Sequence, residues 1–168
     1  KKSTLTCSRQ GGEGRLSGPV VYPDGLETVG RDIAWTTLPS GYGYILAGRV
    51  PGDLHELFDK ALHGMGDVPG LILDFRSNVG GGYDRDELLG RFVPAGESWG
   101  GEDSAGPNPY GGPLVVLIDP ATISAGETIV GELKEEGRAY LIGPDATHGA
   151  SGSKSTISPP ASFLSCAL

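Results

Sequence analysis

The spacing of hydrophobic positions changes several times along this chain, and each change predicts an element. Gly43-Tyr-Ile-Leu-Ala47 reads as a strand that ends before a turn at Pro51-Gly52. Leu54, Leu57, Phe58, Ala61, Leu62 and Met65 then recur at helical spacing. Asp53 and Glu56 form a capping-box pattern ahead of them, and Gly64 and Gly66 are expected to end the helix. Gly70-Leu-Ile-Leu-Asp-Phe75 and Leu114-Val-Val-Leu-Ile118 are short continuous apolar runs, the signature of strands covered on both faces. Each precedes a helical stretch. Asp84 to Phe92 carries Leu88, Leu89 and Phe92, and Ser124 to Glu136 carries Ile129, Val130 and Leu133 before Gly137 stops it.

Alternation of strand and helix implies right-handed crossovers and a largely parallel sheet flanked by helices, an α/β fold. Residues 1–38 show no sustained period, because Gly11, Gly12, Gly14, Gly18, Pro19 and Pro23 interrupt every apolar piece. They read as a strand end plus a linker, with the core domain over 39–168. Ser162 to Leu168 reads as a further strand whose partners are expected beyond the end of the sequence. Pro94 to Gly112 is longer than an ordinary loop and is expected to be a mobile surface flap. Its glycines leave little to pack, and Glu97, Glu102 and Asp103 prefer water.

Composition narrows the functional classes. With 168 residues and 38% hydrophobic content the chain can bury one core. Thirteen basic against 21 acidic residues, a net charge of -8, offer no footprint for a phosphate backbone or an anionic membrane surface. No apolar run approaches the roughly 20 residues that span a bilayer. Cys7 and Cys166 fit no zinc or redox spacing, so a disulfide and free thiols both stay open. Neither a cofactor nor a metal site is expected.

Candidate chemistry sits where ligands bind in open α/β sheets, outside the carboxyl ends of the strands. Arg76-Ser-Asn-Val-Gly-Gly-Gly82 follows one apolar run, and its consecutive glycines can turn backbone N–H groups together to hold an oxyanion. Taken alone, those glycines equally describe a tight turn. Asp119-Pro-Ala-Thr-Ile-Ser124-Ala-Gly-Glu127 leads from the other run into a helix. A serine there meets the positive end of the helix dipole with the Ala125 N–H beside it. Ser124 with Glu127 three residues on is also a capping-box pattern. If the two strands are sheet neighbours, Ser124 stands beside the Gly80–Gly82 turn.

Three ordered blocks resemble the C-terminal processing (tail-specific) serine proteases, the group that includes tricorn protease. Residues 70–81, Gly-Leu-Ile-Leu-Asp-Phe-Arg-Ser-Asn-Val-Gly-Gly, are similar to that family's G-L-I-L-D-L-R-x-N-P-G-G stretch, with Val79 in place of the proline. Residues 113–127 are similar to the block that holds the family nucleophile and align it with Ser124. Glu135-Glu-Gly-Arg-Ala-Tyr-Leu-Ile-Gly143 resembles the family's D-x-G-R-A-x-L-V-G. The resemblance implies a Clp protease/crotonase-like core and a serine endopeptidase-like activity on extended polypeptides or protein C-termini. It assigns Ser124 as nucleophile and Gly80, Gly81 and Ala125 as oxyanion donors, and it implies a periplasmic, secreted or cell-envelope location. It further implies that a PDZ module precedes the core, with Lys1 to Gly14 as its last strand.

The base is the departure. Gly149 or Ala150 aligns with the family's usual lysine, and Leu46 stands where tricorn-like members carry a histidine. His148 and, a few residues on, Lys154 are the replacements at hand; an imidazole titrates in the right range. His55 and His63 lie on the first predicted helix, where solvated positions are expected. A missing base also motivates a rival reading, a non-catalytic homologue that binds peptide or a small apolar ligand in the same cleft. An acyl-CoA enzyme of the related crotonase fold would use paired N–H donors too, but the serine block argues against it.

Overall fold

Short Leu-, Val- and Ile-rich runs bounded by glycine and proline form the strands, and the segments of helical period form helices between them. The computed structural model describes residues 2–9, 12–19, 21–147, 149, 156–157 and 166–167. In chain order these give β1 (Lys2–Arg9), β2 (Gly12–Pro19), β3 (Glu27–Thr28), β4 (Ile33–Thr37), β5 (Gly43–Ala47), α1 (Leu54–Met65), β6 (Leu71–Asp74) and α2 (Arg85–Gly90). There follow β7 (Ser98–Trp99), β8 (Glu102–Asp103), β9 (Leu114–Leu117), α3 (Ala125–Glu135), β10 (Tyr140–Ile142), β11 (Thr156–Ile157) and β12 (Cys166–Ala167).

The central sheet has the order β10-β9-β6-β5-β4-β3. β5, β6, β9 and β10 are parallel, in a register that sets Gly43 beside Leu71, Leu71 beside Leu114 and Tyr140 beside Val115. Antiparallel β4 and β3 complete the other edge. A helix lies between each pair of parallel neighbours in the chain, as the alternating pattern predicts. Ile45, Ala47, Leu71, Leu73, Leu114 and Val116 share one core with the apolar stripes of the three helices. On the opposite face alternation brings Tyr44 next to Asp74.

Four expectations change. The linker assigned to 1–38 contains β3 and β4, which belong to the central sheet, so the core begins before residue 39. The N-terminal stretch before them forms β1 and β2, an antiparallel pair. Gly64 lies inside α1 and Gly66 caps its end; a Cβ at Gly64 would stand 2.4 Å from the Trp35 ring of β4, so that turn of the helix needs a bare backbone. Asp53 starts α1 without a side-chain cap; its carbonyl accepts the Leu57 N–H instead.

The expected flap lies at the surface, with residues 95–101 exposed, and is anchored at a few points. β7 and β8 pair within it, and the Ala105 and Tyr110 N–H groups bond to the carbonyls of Gly90 and Arg91. Buried Arg138 donates to the carbonyls of Phe92 (2.5 Å), Tyr110 (2.7 Å) and Gly112 (2.7 Å), with its guanidinium 5.8 Å from both the Trp99 and Tyr110 ring centres. Burial with no carboxylate partner among the described residues lowers the affinity of that guanidinium for its proton. The C-terminal strand expected over Ser162 to Leu168 is described only at Cys166–Ala167, which pairs with β11.

Candidate active site

Because β6 and β9 are adjacent and parallel, the loops at their carboxyl ends emerge side by side. The first runs through Arg76 to Gly82 and the second through Ile118 to Ser124. Asp74 closes β6 and is fully buried. It accepts from the Arg76 main chain (3.0 Å), from Arg76 Nε (2.8 Å) and Nη2, and from the Tyr44 hydroxyl. Burial, then Asp74, pushes the Tyr44 phenol far above its ordinary value, while the Asp74 carboxylate holds Arg76 firmly charged. The base of the first loop is therefore fixed by a buried ion pair.

Three further polar side chains tie the loops together. Asp119 accepts the Ser77 N–H (2.9 Å), the Ser77 hydroxyl (3.1 Å) and the Ala121 N–H (3.0 Å). Thr122 bonds across to the Phe75 carbonyl at 2.8 Å. Asn78, wholly buried, donates to the Ala47 carbonyl (2.7 Å), accepts the Gly80 N–H (2.8 Å) and receives the Ile123 N–H on its own carbonyl (2.9 Å). Strand β5, the glycine turn and the start of α3 thus meet on one asparagine.

Ser124 stands at that junction with φ 57° and ψ -132°, a conformation that non-glycine residues rarely adopt. Its side chain makes no cap hydrogen bond, so the capping box predicted for Ser124 and Glu127 does not form. Glu127 turns away, accepting from Thr147 Oγ1 at 2.6 Å and the Gly149 N–H at 2.5 Å, and the Gly149 carbonyl accepts the Ser124 N–H at 2.8 Å.

The glycine turn lies against the serine. A Cβ on Gly80 would stand 2.6 Å from Ser124 Cβ and 3.0 Å from its Oγ, and one on Gly81 would collide with the Val50 carbonyl. Both carry positive φ, whereas Gly82 does not. Of the three N–H groups assigned as oxyanion donors, that of Gly80 is already given to Asn78. Those of Gly81 and Ala125 have no acceptor among the described residues. Downstream, Tyr83 and Arg85 bond to Glu132 of α3 at 3.0 and 2.7 Å, and Arg85 also pairs with Glu102.

His148 and Lys154 lie outside the described residues. Leu46 sits on β5, paired with Asp74. His63 is exposed as expected; His55 is half-buried, with Nδ1 covered and unpartnered among the described residues. A cavity of about 630 Å³ lies away from Ser124, between the end of α1 and Pro107 to Tyr110. Sequence reasoning missed Asn78, Asp119 and Glu127 as organisers of the site. All three lie within the matched blocks, but a block of letters does not say which side chain bonds to which loop.

The pattern of peptidase family S41 matches residues 41–164. The chain belongs to this family. Among solved structures, a putative peptidase from Parabacteroides merdae ATCC 43184 superposes with a TM-score of 0.55 at 18% identity, over 83% of this chain and 55% of the other, a likeness of fold. A photosystem II D1 C-terminal processing protease gives 0.46 at 21% identity, over 77% of this chain and 39% of the other. A lipoprotein from Streptococcus agalactiae gives 0.44 at 13%, over 67% and 49%. The chain therefore spans about half the length of the solved structures it matches. No helix among the described residues is long and apolar enough to cross a membrane.

Proposed function

We propose that this S41 core is a serine peptidase acting on extended polypeptides, with Ser124 as nucleophile and the N–H groups of Gly81 and Ala125 as oxyanion donors. The observation that carries the reading is the state of Ser124. Its hydroxyl is released from helix capping, and its backbone is held in a strained conformation against Gly80. Strain of this kind persists only where surrounding bonds over-determine it, and it clusters at functional positions.

In the proposed acylation, Ser124 Oγ bonds to the scissile carbonyl carbon as its proton passes to a base. The carbonyl electron pair moves onto the oxygen, where the two N–H groups stabilise it. Collapse expels the amine, which takes a proton, and water then resolves the ester. His148 is the proposed base, since both of its chain neighbours bond to the first turn of α3; Lys154 is the second candidate. Family membership extends the proposal to a polypeptide substrate and an envelope, periplasmic or secreted setting.

Treatment with a fluorophosphonate tests this: the serine oxygen displaces fluoride at phosphorus and its proton goes to the base. Labelling mapped to Ser124, lost in Ser124→Ala and rising through the imidazole titration near neutral pH, is the expected result, with the rise abolished in His148→Ala. If the rise instead disappears in Lys154→Ala alone, the base assignment moves to Lys154. A folded wild-type protein without labelling favours the non-catalytic peptide-binding homologue.

A further inference from the structure

Glu127 occupies the place of a capping-box acid but bonds to another part of the chain. Its two carboxylate oxygens take separate donors, Thr147 Oγ1 at 2.6 Å and the Gly149 N–H at 2.5 Å. The Gly149 carbonyl then accepts the Ser124 N–H at 2.8 Å. The result is a closed circuit: from Ser124 to Gly149, from Gly149 to Glu127, and along the first helical turn back to Ser124. An acid in a first turn that only complements the helix dipole needs neither distant donor.

We propose that Glu127 is a positioning residue that clamps Thr147 and Gly149 against the nucleophile junction; this rests on the reading of Ser124 as nucleophile. The clamp acts in two ways. It fixes the carbonyl that holds the Ser124 N–H, and so helps keep the residue at its strained φ of 57°. It also anchors the residues on both sides of position 148, the only one between them. Its carboxylate works as an acceptor of hydrogen bonds, so charge is dispensable. A glutamine can accept from the Gly149 N–H through Oε1 and donate to Thr147 Oγ1 through Nε2.

The test compares Glu127→Ala and Glu127→Gln with wild type by two readouts. One is amide hydrogen exchange at Ser124 and Gly149. The other is fluorophosphonate inactivation, resolved into its maximal rate and its half-saturating concentration. Glu127→Ala is expected to speed exchange at both amides and to lower the maximal rate on the order of a hundredfold, as misplaced reacting groups do, with half-saturation unmoved. Glu127→Gln is expected to restore both.

Wild-type exchange in Glu127→Ala overturns the proposal. So does a glutamine variant that protects both amides yet reacts as slowly as the alanine, because the charge would then be the active feature. If wild type is not labelled at Ser124, the nucleophile reading fails, and exchange alone still judges the clamp. Should Glu127→Ala not fold, Thr147→Val removes one anchor and must speed exchange at Gly149; unchanged exchange there counts against the clamp.

Discussion

Helices α2 and α3 both begin after a loop at the carboxyl edge of the sheet, yet their first residues are used in opposite ways. Asp84, before α2, has ordinary extended backbone (φ -81°, ψ 116°), and its carboxylate accepts the Glu87 N–H at 3.2 Å. Ser124, before α3, is strained and makes no cap bond. A cap contributes about 1 kcal/mol, and a strained conformation costs about 1–3 kcal/mol, so the start of α3 is the less stable by design. The bonds from Asn78, Asp119 and Gly149 hold it in place. The difference teaches that the same letter pattern marks a helix start in one context and a withheld hydroxyl in another.

The sharpest test of this contrast is Ser124→Gly. It is expected to remove fluorophosphonate labelling entirely while raising stability by about 1 kcal/mol, since glycine accepts positive φ. A fall in stability on chemical denaturation would show that the serine conformation is relaxed. Next in size, Gly81→Ala is expected to destabilise by about 3 kcal/mol or more, because the new methyl would stand 1.9 Å from the Val50 carbonyl oxygen at a φ of 152°. Gly82→Ala, with nothing within 4 Å and no positive φ, should stay within about 0.5 kcal/mol of wild type. Equal denaturation midpoints for the two variants would break the idea that the turn is packed against Val50.

Asp84→Ala should cost about 1 kcal/mol in denaturant unfolding by removing a working cap. The rate of labelling at Ser124 should change by no more than about twofold, an energy near RT ln 2, well within the scatter of ordinary surface substitutions. A large fall in that rate would mean that α2 and α3 are coupled more tightly than their separate caps indicate. The smallest effect belongs to Asp53→Ala, expected to stay within about 0.5 kcal/mol because that side chain caps nothing. A loss as large as that of Asp84→Ala would restore the capping box read from its sequence.

The regular middle of the fold was legible in the chain. Apolar runs at 70–75 and 114–118 became β6 and β9, and the stripe from Leu54 to Met65 became α1. β4 was not legible: Trp35 packs against the bare backbone of Gly64, a long-range contact with no local period. The segment 94–112 was legible as surface, but its anchors were not, for a related reason. Polar and glycine-rich composition predicts solvation, but Arg138 docks the segment through main-chain carbonyls, which every residue possesses and which leave no mark on the sequence.

By itself, then, the sequence determined the order of β5, α1, β6, α2, β9 and α3, their parallel pairing and the family, because periodicity and ordered motifs are local and survive without coordinates. That Ser124 and the glycine turn share one junction also followed, once two apolar runs were read as neighbouring strands. Only the tertiary structure decided which donors stay free. Asn78 takes the Gly80 N–H, and Glu127 leaves the helix start for Thr147 and Gly149. A hydrogen-bond partner is chosen by the angles and distances of groups far apart in the chain, and a one-dimensional pattern carries neither.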